Sequence, residues 1–226
     1  MNIFSGLINL IFPISCLGCK QPNVWLCPKC QAKIIINKKT FCPICQHPQS
    51  DWQLCKRCQK NRSLNGVLIA SSYQQPLLQK IIHCYKYQYV KSLDQILGEV
   101  LNSFLVEFPL DPGLILTSLP LHRQRQKLRC FNQAEEVAKY VADSQQLIFD
   151  PDLLRRTKNT KSQAKLNKKQ RAENIKSAFR LNRGCYGKKI MIVDDIFTTG
   201  STLNECAKQL KLAGAKEVWG LVIAKG

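Results

Sequence analysis

Acidic residues are scarce in this 226-residue chain: 15 Asp and Glu stand against 34 Lys and Arg, a formal net charge of +19. Such an imbalance points to a polyanionic partner, with plain solubility as the competing use of the charge. Long apolar runs are missing too. The apolar opening, MNIFSGLINLIFPIS, is too short to cross a bilayer, so no transmembrane segment is expected. It also lacks the basic flank and small-residue cleavage site of a secretory signal, and no Lys or Arg precedes Lys20 to favour a lipid surface. Its expected form is a short amphipathic helix. Ile3, Leu7, Leu10 and Ile11 share one face, Pro13 is the stop, and the face packs on the rest of the protein. No internal repeat is visible. An apolar content of 45% excludes disorder of the chain as a whole, and the length accommodates one full domain and a smaller one.

Cysteine is abundant but unevenly placed. Of 12 cysteines, Cys84, Cys130, Cys185 and Cys206 are scattered, and the other eight form four C-x-x-C pairs. These are Cys16 and Cys19, Cys27 and Cys30, Cys42 and Cys45, and Cys55 and Cys58. A disulfide scaffold spreads its cysteines differently, so the expected compartment is reducing and cytoplasmic, with the clustered thiols holding metal. Each C-x-x-C turn aims two sulfurs at one ion, so four turns make two tetrahedral zinc sites. No iron-cluster spacing appears. Pairing of neighbouring turns gives a double zinc ribbon, the favoured arrangement; alternate pairing gives a cross-braced module. Two zinc ions with four thiolates each lower the formal charge from +19 to about +15. The module is basic, with Asp51 its single acid, which suits either a structural role or contact with nucleic acid.

Residues 62–66, RSLNG, mark a boundary between a unit at 1–61 and one at 62–226. A strand is expected at Val67–Tyr73. A helical stripe runs from Leu77 to Tyr85, a helix spans 92–108, a buried strand lies at Leu114–Ser118, and a helix covers 132–143. Segment 84–91, CYKYQYVK, interleaves lysines with aromatics. That mix suits base stacking with phosphate contacts, and equally a helix end with half-buried tyrosines. A basic loop at 122–129 carries Arg123, Arg125, Lys127 and Arg129 without an acid, at the carboxyl end of a strand, where open α/β sheets bind ligands. From Arg155 to Arg183 there are eleven Lys or Arg and a single acid, Glu173. This stretch reads as a solvated loop with helical pieces, or as a lid or polyanion groove, the favoured reading.

The stretch Ile190–Thr202, IMIVDDIFTTGST, organises the rest. Four apolar residues suit a strand buried on both faces, and Asp194 and Asp195 follow it. Thr198, Thr199, Gly200, Ser201 and Thr202 then make a hydroxyl-rich turn into a helix that Gly214 closes. Open N–H groups at a helix start favour phosphate, whereas carboxylates favour ribose hydroxyls or a metal held by the same ligand. The run closely resembles the phosphoribosyl pyrophosphate (PRPP) motif of type I phosphoribosyltransferases.

Wider similarity follows from four features in order: the zinc region, PLHR…FNQAE at Pro120–Glu135, the RRT…TKSQA…AF segment at Arg155–Phe179, and the LNE continuation at Leu203–Glu205. On these the chain is identified as resembling the ComF family, phosphoribosyltransferase-like proteins linked to DNA uptake in natural transformation. Cys130 departs from the family's usual Arg-Gly-Phe-Asn-Gln, which predicts strain if that position needs a positive φ.

The resemblance implies an α/β fold: a type I phosphoribosyltransferase-like parallel sheet of about five strands, flanked by helices, with a small N-terminal zinc-ribbon module. It implies that Thr198, Thr199, Gly200, Ser201 and Thr202 hold the 5-phosphate of PRPP, and that Asp194 and Asp195 hold the ribose hydroxyls. Leu121, His122 and Arg123 would meet pyrophosphate, with magnesium arriving on that group. The candidate catalytic residues are Asp194, Asp195 and Arg123. Single-stranded DNA would contact Lys86, Arg125, Arg129, Arg155, Arg156 and Arg171, and a competence helicase is an implied partner. The alternative is an active pentosyl-transferring phosphoribosyltransferase with a small-molecule or nucleobase acceptor and no DNA binding. Met1-Asn2 supplies no N-terminal cysteine nucleophile, so glutamine amidotransfer is not expected. No C-terminal hood is expected either, which leaves the zinc module or residues 74–91 to cover an acceptor.

Overall fold

The computed structural model describes residues 14–158 and 175–226, with the backbone alone at Arg125 and Leu128. Residues 1–13 of the expected leader helix, and Arg171 within the basic segment, lie outside the described residues.

The cysteine-rich region folds as two consecutive ribbons. In the first, Cys16 N–H donates to Gln21 O (2.8 Å), Lys20 N–H donates to Cys16 O (3.0 Å), and Lys20 has a φ of 68°. In the second, Cys42 N–H donates to His47 O (2.8 Å), Gln46 N–H donates to Cys42 O (2.8 Å), and Gln46 has a φ of 62°. The bridges Ser15–Pro22 and Phe41–Pro48 match as well. Corresponding residues of the two knuckles share one sequence offset, so the region contains a repeat after all. Turn geometry, sulfurs and a proline (Pro22 and Pro48) are repeated, while most other side chains differ, which hid it. Each ribbon ends in a single helical turn, α1 (Pro28–Gln31) and α2 (Lys56–Gln59), carrying the last cysteine.

The remainder is an α/β domain. Its strands are β1 (Gly66–Ser72), β2 (Leu114–Ser118), β3 (Ile148–Phe149), β4 (Leu154–Arg156), β5 (Phe179–Leu181), β6 (Lys189–Phe197) and β7 (Glu217–Lys225). Its helices are α3 (Pro76–Tyr87), α4 (Leu93–Glu107), α5 (Arg123–Arg129), α6 (Gln133–Gln145) and α7 (Ser201–Leu212). Five strands form one parallel sheet in the order β1-β7-β6-β2-β3. The apolar runs of β1, β6 and β7 are buried, as a sheet covered on both faces requires. Helix α3 packs on α4, α4 on α6 and on β1 and β7, α6 on β2, β3 and β6, and α7 on β5 and β7. Gly98 lets α4 meet α6 closely: a Cβ there would collide with the Tyr140 ring.

Three expectations need correction. The basic stretch after β2 is a helix, α5, because its Arg, Gln, Lys and Leu are all good helix formers and His122 Nδ1 accepts from Gln124 N–H (3.3 Å) at its start. The strand Ile190–Val193 runs on to Phe197, carrying both aspartates with it. Inside 150–183, β4 and β5 pair antiparallel, and β3 precedes them; two or three residues are too few to show a period. The remaining helices and strands begin and end close to the expected residues.

The ribbons pack on the sheet rather than standing apart. Ile36 bridges to Ser71 and Gln53 to Gly66, both antiparallel, while Asn37 N–H donates to Ala70 O (2.8 Å) and Val67 N–H to Trp52 O (3.1 Å). These bonds cover the outer edge of β1. Trp52, 4% exposed, lies edge-on to Phe41 of the second ribbon, to Phe104 of α4 and to Phe108 just past its end, with centroids 4.9, 5.6 and 5.7 Å away. One continuous core results.

Cys130 ends α5 with φ 63° and ψ −21°, the left-handed region where an L side chain costs about 1 kcal/mol or more. Its side chain is exposed. Cys130→Gly is therefore expected to raise stability by about 1 kcal/mol, seen as a higher urea midpoint at unchanged slope; an unchanged midpoint would show that the strain is absorbed elsewhere.

Candidate functional site

Strand β6 outruns β2. Ser118, the last residue of β2, lies opposite Val193, and Leu119 N–H makes the final bond to Val193 O (2.9 Å). Beyond it β6 continues along β7 alone, with Asp194 opposite Val222. Strand connections also reverse direction here: β6 leads to β7 on one side, β2 to β3 on the other. This is the switch point at which open α/β sheets leave a crevice.

A cavity of 280 Å³ fills that crevice. Its floor holds Asp194 and Asp195, its far wall Thr198, Thr199, Gly200, Ser201 and Thr202, and its near wall Leu119 and Leu121. Gly200 has a φ of 71°, and a Cβ there would stand 2.6 Å from the Phe197 ring, so the turn accepts no side chain at this point. Thr199 Oγ1 and Ser201 Oγ lie 2.9 Å apart, and Ser201 N–H reaches Thr199 Oγ1 at 3.4 Å. Gly200 provides no side-chain cap for α7, so the start of a twelve-residue helix faces the cavity.

The acid pair is held locally. Asp194 Oδ1 accepts from Asp195 N–H (2.8 Å) and Asp195 Oδ1 from Ile196 N–H (2.6 Å). Asp195 Oδ2 meets Lys86 Nζ of α3 at 2.8 Å, with side chains 15% and 17% exposed. Burial opposes the Lys86 charge, but Asp195 and, through space, Asp194 outweigh it and hold the ammonium above the ordinary lysine range. Burial and the neighbouring Asp195 charge push the Asp194 carboxyl up to about 8, against the pull of Lys86.

The structure thus brings Asp194, Asp195, Thr198 to Thr202 and Leu121 together. His122 and Arg123 instead line an adjoining cavity of 780 Å³ with Arg155, and Arg156 and Leu121 form the wall between the two. Arg156 is buried, with its guanidinium 5.4 Å from the Phe179 ring centroid. Arg129 lines the first cavity and donates to Gln133 Oε1 (3.1 Å). Lys86, expected on a nucleic-acid surface, lines the first cavity and pairs with Asp195. Tyr87 was read only within the aromatic segment 84–91, and Asn132 was not read as a site residue. Tyr87, 56% exposed, stands on the cavity wall with its ring 4.9 Å from that of His83. Buried Asn132 holds the β2–α5 loop by donating to Leu119 O (3.2 Å), while its Oδ1 accepts from Ala134 N–H (3.2 Å) to start α6. The N-x-x-E spacing of Asn132 and Glu135 was the available signal.

The eight cysteines divide as neighbours: Cys16, Cys19, Cys27 and Cys30 form one group and Cys42, Cys45, Cys55 and Cys58 the other, with sulfurs all within 4.8 Å. Cys19 and Cys27 sulfurs lie 3.6 Å apart and Cys45 and Cys55 sulfurs 3.7 Å, against about 3.8 Å for tetrahedral zinc–thiolate ligands. Burial raises Cys16 and Cys42, but backbone N–H groups around each sulfur prevail and bring both down to about 6. Burial and neighbouring sulfurs push Cys30 and Cys58 up to about 12. Four thiolates therefore coexist only with a compensating cation, and both donor sets fit zinc.

The raised Asp194 carboxyl has a thermodynamic consequence. Unfolded, it titrates near 4; folded, near 8. Below about pH 4 it is neutral in both states. Between those values the unfolded state binds fewer protons, so stability falls as pH rises, and above about 8 the loss is complete. Asp194→Asn keeps the acceptor for Asp195 N–H and has no proton to lose. Its stability advantage over the parent should widen from about pH 4 to about pH 8 and then level off in urea titrations. A constant gap would show that Asp194 ionises normally.

Comparison with known proteins agrees with this geometry. The double zinc ribbon domain matches residues 7–59, and the phosphoribosyl transferase domain matches residues 129–225. DNA utilization protein YhgH of Escherichia coli is 31% identical over 224 residues, covering 94% of this chain and 98% of that protein. Competence protein F of Haemophilus influenzae is 33% identical over 232 residues, with the same two coverages, 94% and 98%. Competence protein ComFC of Bacillus subtilis is 25% identical over 203 residues, covering 84% and 79%. Two four-cysteine ribbons on the edge of a five-stranded parallel sheet, continued along nearly the full length of such relatives, show that the chain belongs to the ComF family.

Proposed function

We propose that this is a PRPP-binding, phosphoribosyltransferase-like protein of natural competence that handles single-stranded DNA in the cytoplasm. One observation carries the proposal: the acid pair and the hydroxyl-rich helix start share a single cavity at the sheet's switch point. Asp194 and Asp195 take the ribose hydroxyls, and Thr198 to Thr202 take the 5-phosphate. The Leu121–Arg123 loop, tethered by Asn132, meets pyrophosphate, and Arg123 offsets the charge of the leaving group. Magnesium, when bound, neutralises pyrophosphate and retains its waters. Lys86 keeps Asp195 from repelling the incoming anion.

The DNA part of the proposal draws on the relatives' names and on charge. Arg123 and Arg155 line the second cavity, which adjoins the first through Arg156. Arg129 lines the first, and Arg125 and Arg171 add to the charge of the same sequence segments, which suits a phosphodiester chain. Residues 1–61 then act as a structural module for the domain at 62–226, and a competence helicase is the partner the family resemblance suggests. A second reading, phosphoribosyl transfer to a nucleobase-type acceptor, is favoured by Tyr87, whose exposed ring offers a flat face beside the acid pair.

Calorimetry with PRPP and magnesium tests the pocket. Asp194→Ala combined with Asp195→Ala should abolish binding while the fold persists; unchanged affinity refutes the ribose assignment. For single-stranded DNA, affinity should fall steeply between about 50 and about 200 mM salt, and a flat log–log plot rules out the arginine contacts. Pyrophosphate release on mixing PRPP with a free base, independent of DNA, would favour the second reading.

A further inference from the structure

Each ribbon presents a knuckle tip to the sheet domain. The tips are Leu17–Gly18, between Cys16 and Cys19, and Pro43–Ile44, between Cys42 and Cys45. A lysine holds each in the same way. Lys80 Nζ of α3 donates to Leu17 O (3.3 Å), and Lys225 Nζ at the end of β7 donates to Pro43 O (3.0 Å). What lies beneath the tips differs. A Cβ on Gly18 would stand 3.5 Å from Leu77 Cδ1, so the first tip rests on α3. Ile44 Cδ1 lies 3.6 Å from where a Cβ on Gly200 would stand, so the second tip rests on the anion-binding turn itself.

The space a side chain on Gly200 would take is thus occupied by the Phe197 ring and bordered by Ile44. This matters because glycine at φ 71° has several basins open to it, and only its surroundings choose between them. Two more links join the same parts. Ser63 N–H, just past α2, donates to Asn204 Oδ1 in the first turn of α7 (2.9 Å), and Gly226 N–H, next to Lys225, donates to Phe197 O (3.0 Å).

We infer that the second zinc ribbon is a positioning element of the phosphate-binding turn: Ile44, at the tip of a knuckle whose shape its metal fixes, holds Gly200 and the start of α7 in the form that presents N–H groups to an anion. The first ribbon has no such role. This rests on the PRPP reading for its ligand and on the contacts above for its geometry.

Three variants test it: Ile44→Ala, the milder Ile44→Val, and Leu17→Ala at the corresponding tip of the first ribbon. For each, zinc content, affinity for PRPP with magnesium, and hydrogen exchange at the amides of 199–202 are measured. Ile44→Ala should retain two zinc ions, lose at least about tenfold in affinity, the worth of one hydrogen bond to a charged group, and exchange those amides faster. Ile44→Val should retain zinc and show both effects at a smaller but measurable size, and Leu17→Ala should stay within about twofold of the parent. Equal affinity and equal exchange in Ile44→Ala and the parent overturn the inference, as does an equal loss in Leu17→Ala. Should Ile44→Ala shed metal, Ile44→Val decides: faster exchange with zinc retained supports the inference, and unchanged exchange overturns it. A parent protein that binds no PRPP refutes the pocket assignment alone, because the exchange comparison still reads the turn.

Discussion

Two adjacent carboxylates at the mouth of a parallel sheet are unstable company, and the ion pair of Lys86 with Asp195 is what makes them tolerable. At 2.8 Å, with both side chains largely shielded, the ammonium is the near charge that offsets the pair. Much else follows from that contact. It fixes the last turn of α3 above the end of β6, and with it the position of Tyr87 on the cavity wall. It leaves Asp194 as the member that carries the burden of burial. It also removes a lysine from the surface, so the basic character of this face comes from the arginines around α5 and β4 instead.

The site was legible to the extent that it is local. Ile190 to Thr202 show strand, acids, turn and helix start within one short run, and the structure brings them to one cavity. The eight zinc ligands were legible for the same reason, since each C-x-x-C turn is complete in itself; the pairing of neighbours became certain only with the sulfurs in place. What stayed hidden depends on distant partners. Nothing near Lys86 announces Asp195, and nothing near Asn132 announces the carbonyl of Leu119. The strands β4 and β5 are three residues each, held by one another rather than by any pattern of their own. The helix α5 was mistaken for a loop because its charges suggested binding, although its residues favour a helix. Cys130 shows the opposite case: a departure from a familiar pattern pointed correctly to a left-handed backbone.

The ribbons are more deeply integrated than their separate sequence character suggests. They share the core through Trp52, and each seats a knuckle under a lysine of the sheet domain. One lies against the helix that delivers Lys86, the other beside the hydroxyl-rich turn at Gly200. The cleft therefore has a metal-braced element on either side of it, although neither metal is among its walls.

The cover over β1 carries a different consequence. That strand is apolar and ends the sheet, and its outward bonds go to Ile36, Asn37 and Trp52. A bare strand of this kind templates pairing with another chain. Chelation that melts the ribbons would uncover it, so zinc status would govern whether the protein stays dispersed or clumps, independently of anything the cleft binds.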